Sequence, residues 1–305
     1  MKAGGLPFAK KRLLEKESPV KISNQTYGFL LNVPGLVVVL LWVVFPACVL
    51  ILTSFLRYDN LSPIVFDGLK NYHRLFTDRL LWISLQKAAV FSGGTTLLTY
   101  VGGILLALAL AGVRTGSATF RSMMIIPWAV PPIVSGIIWK WIFSPDFGVV
   151  SDLLMRMGLI GEPLSIYSNT RLAMVGVIVA DSWTRIPFMG IILLAALLSI
   201  DRELYEAAKI DGAGALARFG FVSLPLIRGP MFVGLMITIM FSFRTIDIII
   251  PLTAGGPGRS TYVFGYYIYD QLIKTLNFGV MAAAGMVLFG ITTVISMVML
   301  SLSRR

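Results

Sequence analysis

Six apolar stretches, each long enough to cross a bilayer as a helix of about 20 residues, divide this 305-residue chain. They run over roughly 33–55, 88–110, 123–143, 172–198, 231–250 and 279–300. A lipid interior offers no water to backbone N–H and C=O groups, so continuous apolar stretches of this length must satisfy themselves as helices. The expected fold class is therefore an all-α membrane protein with six transmembrane helices. Residues 1–28 read as a polar, basic cytoplasmic tail, and residues 29–305 as the membrane domain. The first apolar stretch is too long for a signal-peptide core and shows no small-residue cleavage site, so it is expected to be retained.

Composition agrees with lipid as the main solvent. Charged residues make up 13% of the chain, against about a quarter in a soluble domain. The net charge of +11 could suggest nucleic acid, but the basic residues cluster at the ends of apolar runs. That pattern fits lipid headgroups and membrane orientation, and no nucleic-acid partner is expected.

With the N-terminus placed inside, the inner segments hold fourteen Lys and Arg residues: Lys2, Lys10, Lys11, Arg12, Lys16, Lys21, Arg114, Arg121, Arg202, Lys209, Arg218, Arg228, Arg304 and Arg305. The outer segments hold nine, Arg57, Lys70, Arg74, Arg79, Lys87, Arg156, Arg171, Arg259 and Lys274, spread over longer loops. The positive-inside rule then puts both termini, and the loop 199–228, in the cytoplasm.

That loop is a polar island. Asp201 is placed to cap a short helix, and Glu203 and Glu206 sit near its positive end. Gly212 and Gly214 are expected to stop the helix through left-handed backbone angles, and Pro225 opens the next apolar stretch. Ala207, Ala208 and Ala213 would let another protein's surface approach closely. Glu206-Ala207-Ala208, then Gly212, then Val222-x-Leu224-Pro225 resembles the EAA loop of binding-protein-dependent ABC importer permeases, EAA-x3-G-x9-I-x-LP. The spacing matches at every position, and Val222 stands where isoleucine is usual. A second likeness points to the sugar-importing branch. It comprises Leu252-Thr253-Ala254-Gly255-Gly256-Pro257-Gly258, the stretch Trp141–Gly148, and Asp247 five residues before Leu252. Ile246 and Ile250 depart from that branch, where aromatics are common.

The resemblance implies a type I (MetI-like) permease fold with a cytoplasmic coupling helix. It implies Glu206, Ala207, Ala208, Asp211, Gly212, Leu224 and Pro225 as the residues that meet an ATPase. It also implies the partners: a second homologous permease subunit, two ATPase subunits and an extracytoplasmic solute-binding protein. The binding protein would dock on the outer loops 57–87, 144–171 and 251–277. No cofactor is expected on the chain itself, since ATP and Mg would belong to the ATPases. The location implied is a bacterial or archaeal plasma membrane.

Charges inside the spans mark a second candidate site. Asp181 and Arg185 are four residues apart, and Arg244 and Asp247 three apart, spacings that put each pair on one helix face. A lone charge at the bilayer centre costs about 2.5–3.5 kcal/mol on insertion scales, so pairing and an inward orientation are favoured. Asp181, Trp183, Arg185, Arg244 and Asp247 are candidates to line a substrate path. The same pairs would equally serve to fix helix register. Pro187 weakens its helix nearby, and Pro127, Pro131 and Pro132 must kink or break the third span, placing it near a water-filled cavity. Gly93, Gly94, Gly102 and Gly103 suit either a mobile seam or plain tight packing. Trp139, Lys140 and Trp141 read as an interfacial belt, with sugar stacking as the other reading.

Nothing in the sequence supports catalysis by the chain alone. There is no phosphate-binding G-x4-G-K-[S/T] loop, and one histidine, His73, and one cysteine, Cys48, exclude a Cys/His metal cluster. An ion-coupled secondary transporter is the alternative that the intramembrane charges would suit.

Overall fold

The computed structural model of the protein describes residues 24–112 and 117–303. The basic residues Lys2, Lys10, Lys11, Arg12, Lys16, Lys21, Arg114, Arg304 and Arg305 lie outside the described residues. The chain divides into two units, residues 1–50 and 51–305.

Helix α1 (Asn24–Val39) runs into a π-helical turn, Leu40–Val44, and on into α2 (Phe45–Ser54), whose last four residues belong to the second unit. The turn has a chemical cause. Pro46 lacks an N–H and its ring crowds the carbonyl four residues back. The ladder widens just before it, and the Phe45 N–H bonds the Leu40 carbonyl five residues earlier. None of the most apolar window of the span Leu31–Ser54 is buried, and Trp42 is 78% exposed.

The second unit is built on two long helices, α4 (Arg79–Ala111) and α8 (Thr170–Leu198). Each starts on a side-chain cap that takes up free N–H groups of its first turn. Asp78 Oδ1 accepts from the Leu80 N–H at 2.8 Å, and Asn169 Oδ1 accepts from the Arg171 and Leu172 N–H groups at 2.9 and 3.1 Å. The two helices pack backbone to backbone. A Cβ built on Gly94 would lie 2.6 Å from Ile178 Cδ1, and one on Gly102 2.7 Å from Ile186 Cδ1. Gly93 meets open space. Tight packing is thus what Gly94 and Gly102 provide.

Around this pair stand α5 (Ser117–Ala129), α6 (Pro132–Ile142), α11 (Leu224–Phe243) and α14 (Phe278–Ser303). One buried cluster includes Phe91, Val177, Ile248, Phe264 and Tyr267, and a second includes Ala107, Met189, Leu193 and Ile227. On the side that the sequence places outside, a two-stranded hairpin pairs β1 (Leu56–Arg57) with β2 (Val65–Phe66), antiparallel, before α3 (Lys70–Thr77). Helix α7 (Val149–Arg156) lies in the loop after α6. The short α12 (Ile249–Leu252) and α13 (Phe264–Ile273) follow α11. The Tyr267 hydroxyl donates to Asp78 Oδ2 at 2.9 Å, fastening α13 to the cap of α4. Burial first, and then this bond, hold the Tyr267 phenol above its ordinary pKa, so it remains a donor.

Among the described residues five helices are long and apolar enough to span a membrane, and the α5–α6 pair makes a sixth span if counted as one broken crossing. The helices differ in extent from two of the expected spans, and a third is broken as expected. The helix of the second span begins at Arg79, ahead of residue 88, giving 33 residues and about 50 Å of helix. That exceeds a hydrocarbon core of about 30 Å, so the helix is longer than a perpendicular crossing needs, and Arg79 and Lys87 lie in its first three turns. The third is broken by 97°, as its prolines required. Val130 precedes Pro131 and cannot stay helical, while Pro132 starts α6. The fifth runs from Ala215 to Phe243, including its leading turns, and stops short of residue 250. Trp139 and Trp141 stand in different surroundings. Trp139 is half-buried against Phe143 and Trp183, at ring distances of 5.1 and 6.0 Å, whereas Trp141 is exposed.

Candidate coupling element and intramembrane polar site

Helix α9 (Arg202–Ile210) carries Glu206, Ala207 and Ala208. Asp201 occupies the N-cap position, but its side chain makes no cap hydrogen bond, contrary to the sequence expectation. Only its carbonyl takes part, accepting from the Leu204 N–H at 3.2 Å. The far end is closed more firmly. The Gly212 N–H bonds the Lys209 carbonyl at 3.1 Å, and the Ala213 N–H bonds the Ala208 carbonyl at 2.9 Å. This pair is a Schellman cap, and it requires a left-handed residue at Gly212, whose φ is +80°. One such residue is enough to reverse the chain. Gly214, also expected to be left-handed, has φ −69° and ψ 175°, ordinary extended backbone that starts α10 (Ala215–Arg218).

A second π-helical turn, Phe219–Ser223, leads into α11. Its cause repeats that of the first. Pro225 supplies no N–H, and the Leu224 N–H reaches back to the Phe219 carbonyl. The Leu-Pro pair of the motif thus sets a widened turn at the base of α11. The Tyr205 hydroxyl and Ser223 Oγ lie 2.8 Å apart and tie α9 to that turn. Nothing in the sequence pattern pointed to either residue. Glu206, Ala207, Asp211 and Gly212 are exposed, and Ala208 is half-buried. Ile210, Leu216 and Phe221 are 85–88% exposed on the same loop, so charge and apolar surface are presented together.

Within the membrane domain the expected Asp181–Arg185 pair is present. Arg185 Nε donates to Asp181 Oδ2 at 2.7 Å, and Nη2 donates to Oδ1 at 3.0 Å. Nη2 also donates to Thr245 Oγ1 at 2.9 Å, linking α8 to the residue just beyond α11. Asp181 is fully buried, while Arg185 keeps 18% of its side chain exposed. Thr245 was not legible as a partner, because a lone threonine 60 residues away carries no spacing signal.

Arg244 and Asp247 behave differently from expectation. Helix α11 ends at Phe243, so Arg244 caps it and Asp247 falls in the break before α12. They do not share a helix face and form no ion pair among the described residues. Arg244 lies over the Phe241 ring instead, 4.7 Å from its centre.

A cavity of about 330 Å³ opens at the break between α5 and α6. Arg185, Thr184 and Thr238 line it beside the aromatic rings of Trp128, Phe188 and Phe241. Trp128 and Phe188 are stacked at 5.7 Å and 13°. The proline break, Arg185 and the cavity are therefore brought together. Trp183 meets Trp139 instead, and Arg244 lines a separate cavity of about 280 Å³. The aromatic wall was missed by sequence reading. Among the described residues no group of three or more acidic, His or Cys side chains is placed to hold a metal.

Comparison with known proteins extends this picture. Residues 99–305 match the family described as binding-protein-dependent transport system inner membrane component. The sulfoquinovosyl glycerol transport system permease protein SmoG of Agrobacterium fabrum is 31% identical, covering 96% of this chain and 97% of that one. The trehalose/maltose transport system permease protein MalF of Thermococcus litoralis is 34% identical over 82% of this chain and 86% of its own. The sn-glycerol-3-phosphate permease protein UgpA of A. fabrum is 32% identical over 88% and 92%. Among solved structures, a chain of a bacterial ABC transporter that imports alginate superposes with a TM-score of 0.78 at 24% identity, covering 92% of this chain and 95% of that chain. That likeness concerns the fold.

Proposed function

Because the chain belongs to the family of inner membrane components of binding-protein-dependent transport systems, and is a permease subunit of an ABC importer, we propose that it conducts a sugar or related polyol and is driven through helix α9. Family membership sets the ion-coupled carrier aside. In the mechanism supported here, an external binding protein delivers the solute to the outer loops, and two ATPase subunits work on the inner face. ATP and Mg reside on those subunits. A second permease subunit completes the path, and both termini of this chain face the cytoplasm.

The observation that carries the reading is the closed geometry of α9. The Schellman cap at Gly212 and the Tyr205–Ser223 bond hold the helix to the base of α11. Force applied to Glu206, Ala207 and Ala208 is then passed to a transmembrane helix instead of being lost in a loose loop. Asp211 and Gly212 shape the turn, and Leu224 and Pro225 receive the motion at the first turn of α11. Motion of α11 would bear on Thr245 and, through it, on Arg185 at the cavity. The rings of Trp128, Phe188 and Phe241 suit the apolar faces of a sugar, and the polar groups suit its hydroxyls. The names of the relatives, which include transporters of sugars and glycerol phosphate, support that solute class.

The test is purification from the native membrane after changing Ala207 to cysteine. The reading expects ATPase subunits to copurify and to cross-link through residue 207. A chain that comes out without ATPases, or with ATPases that do not cross-link at residue 207, would refute it.

A further inference from the structure

A further cavity lies apart from those that Arg185 and Arg244 line. It measures about 710 Å³ and lies between the coupling segment and the ends of α4 and α8. Arg202 and Arg218 line it, together with Tyr205 and Ser223, and its other walls are apolar, including Leu197 and Phe219. No carboxylate is among the described lining residues. Among the described residues neither arginine makes an ion pair. The two guanidiniums come from different helices, Arg202 from the first turn of α9 and Arg218 from the last of α10.

A cavity of this kind has a definite preference. Two unpaired guanidiniums present planar donor forks that match phosphate oxygens. Apolar walls would repel a small hydrated anion but accept hydrocarbon attached to it. Position adds a third argument, since the cavity sits where transmembrane helices end, at headgroup depth. Basic pockets between helix ends on the cytoplasmic side are suited to anionic headgroups.

We propose that this cavity binds the phosphodiester headgroup of an anionic phospholipid, with Arg202 and Arg218 as its ligands and the acyl chains along Leu197 and Leu198. The bound lipid fills the space behind α9 and backs the helix against the load from the ATPases. The role in backing α9 rests on the coupling function proposed above, but lipid binding itself does not.

The experiment uses the whole purified transporter in nanodiscs of phosphatidylcholine, with or without phosphatidylglycerol. Native mass spectrometry then counts the phosphatidylglycerol retained after detergent extraction. Each arginine near a membrane surface contributes about fivefold to such binding, so R202Q or R218Q should weaken retention about fivefold and the double variant about twenty-five-fold. The double lysine variant should restore much of it, which separates lost charge from lost folding. R228Q changes an exposed arginine on α11 away from the cavity, and retention should not change. Equal loss in R228Q would show a diffuse surface attraction and overturn the site, as would full retention in the double glutamine variant. Inorganic phosphate added to phosphatidylcholine discs tests the other source of the same chemistry. Arginine-dependent phosphate binding without lipid retention would also overturn the proposal. If lipid is retained as expected but no ATPase copurifies, the coupling function fails and the lipid site stands.

Discussion

Gly212 and Gly214 offer a matched pair for testing the coupling element. Neither would bring a Cβ within 4 Å of a neighbour, so space is not at issue at either position. Backbone conformation is. Gly212 stands at φ +80°, where an ordinary L-residue costs about 1–2 kcal/mol, and a β-branched one lies at the upper end of the 1–3 kcal/mol given for strained sites. Gly214 stands at φ −69° and ψ 175°, which valine adopts freely. Gly212→Val should therefore lower the population of the native turn relative to rerouted ones by about 30- to 150-fold, from ~2–3 kcal/mol. Escape from the strain would break the bonds to Lys209 and Ala208 and free Glu206, Ala207 and Ala208 from their fixed direction. The assay is solute uptake and ATPase activity of the reconstituted transporter, with copurification of the ATPases as the check on assembly. Gly212→Val should lose uptake, Gly212→Ala should be intermediate, and Gly214→Val should match the parent. Normal uptake by Gly212→Val, or equal damage from Gly214→Val, would refute the reasoning.

Other substitutions follow from the packing. Asp181→Ala leaves Arg185 without its bidentate partner in the membrane and should destabilise by about 3–5 kcal/mol, read as thermal unfolding in detergent; replacing both with apolar residues should cost far less. Gly103→Ala drives a methyl into Met189 and should cost about 1–3 kcal/mol, whereas Gly93→Ala, with open space around it, should be tolerated in the same measurement. Tyr267→Phe removes the bond to Asp78 and should cost about 1.5–3 kcal/mol, with faster amide exchange localised to α13 and the first turn of α4.

The membrane-spanning architecture was legible because lipid imposes a length and a composition that no other solvent does. The boundaries were less so. Arg79 and Lys87 look like loop residues, yet they lie on a 33-residue helix, longer than a perpendicular crossing of the hydrocarbon needs. Arg244 and Asp247 carried the spacing of a helical pair but fall where the helix stops, and spacing has no meaning past a terminus. The coupling loop was legible in its chain reversal at Gly212, because a left-handed turn demands glycine. Gly214 misled, because glycine also occurs where any residue would serve. Thr245, Tyr205 and Ser223 were invisible for a different reason. Each acts through one hydrogen bond to a residue far along the chain, and such pairings leave no periodic trace.

The account stands most directly on whether an ATPase on the inner face answers a binding protein on the outer face through this chain. The measurement is ATP hydrolysis by the purified, reconstituted transporter, with empty or sugar-loaded binding protein outside. The account predicts slow hydrolysis alone and a severalfold rise with the loaded protein, abolished by Gly212→Val while the ATPases remain bound. Hydrolysis indifferent to the binding protein, or stimulation that survives loss of the Gly212 turn, would contradict it.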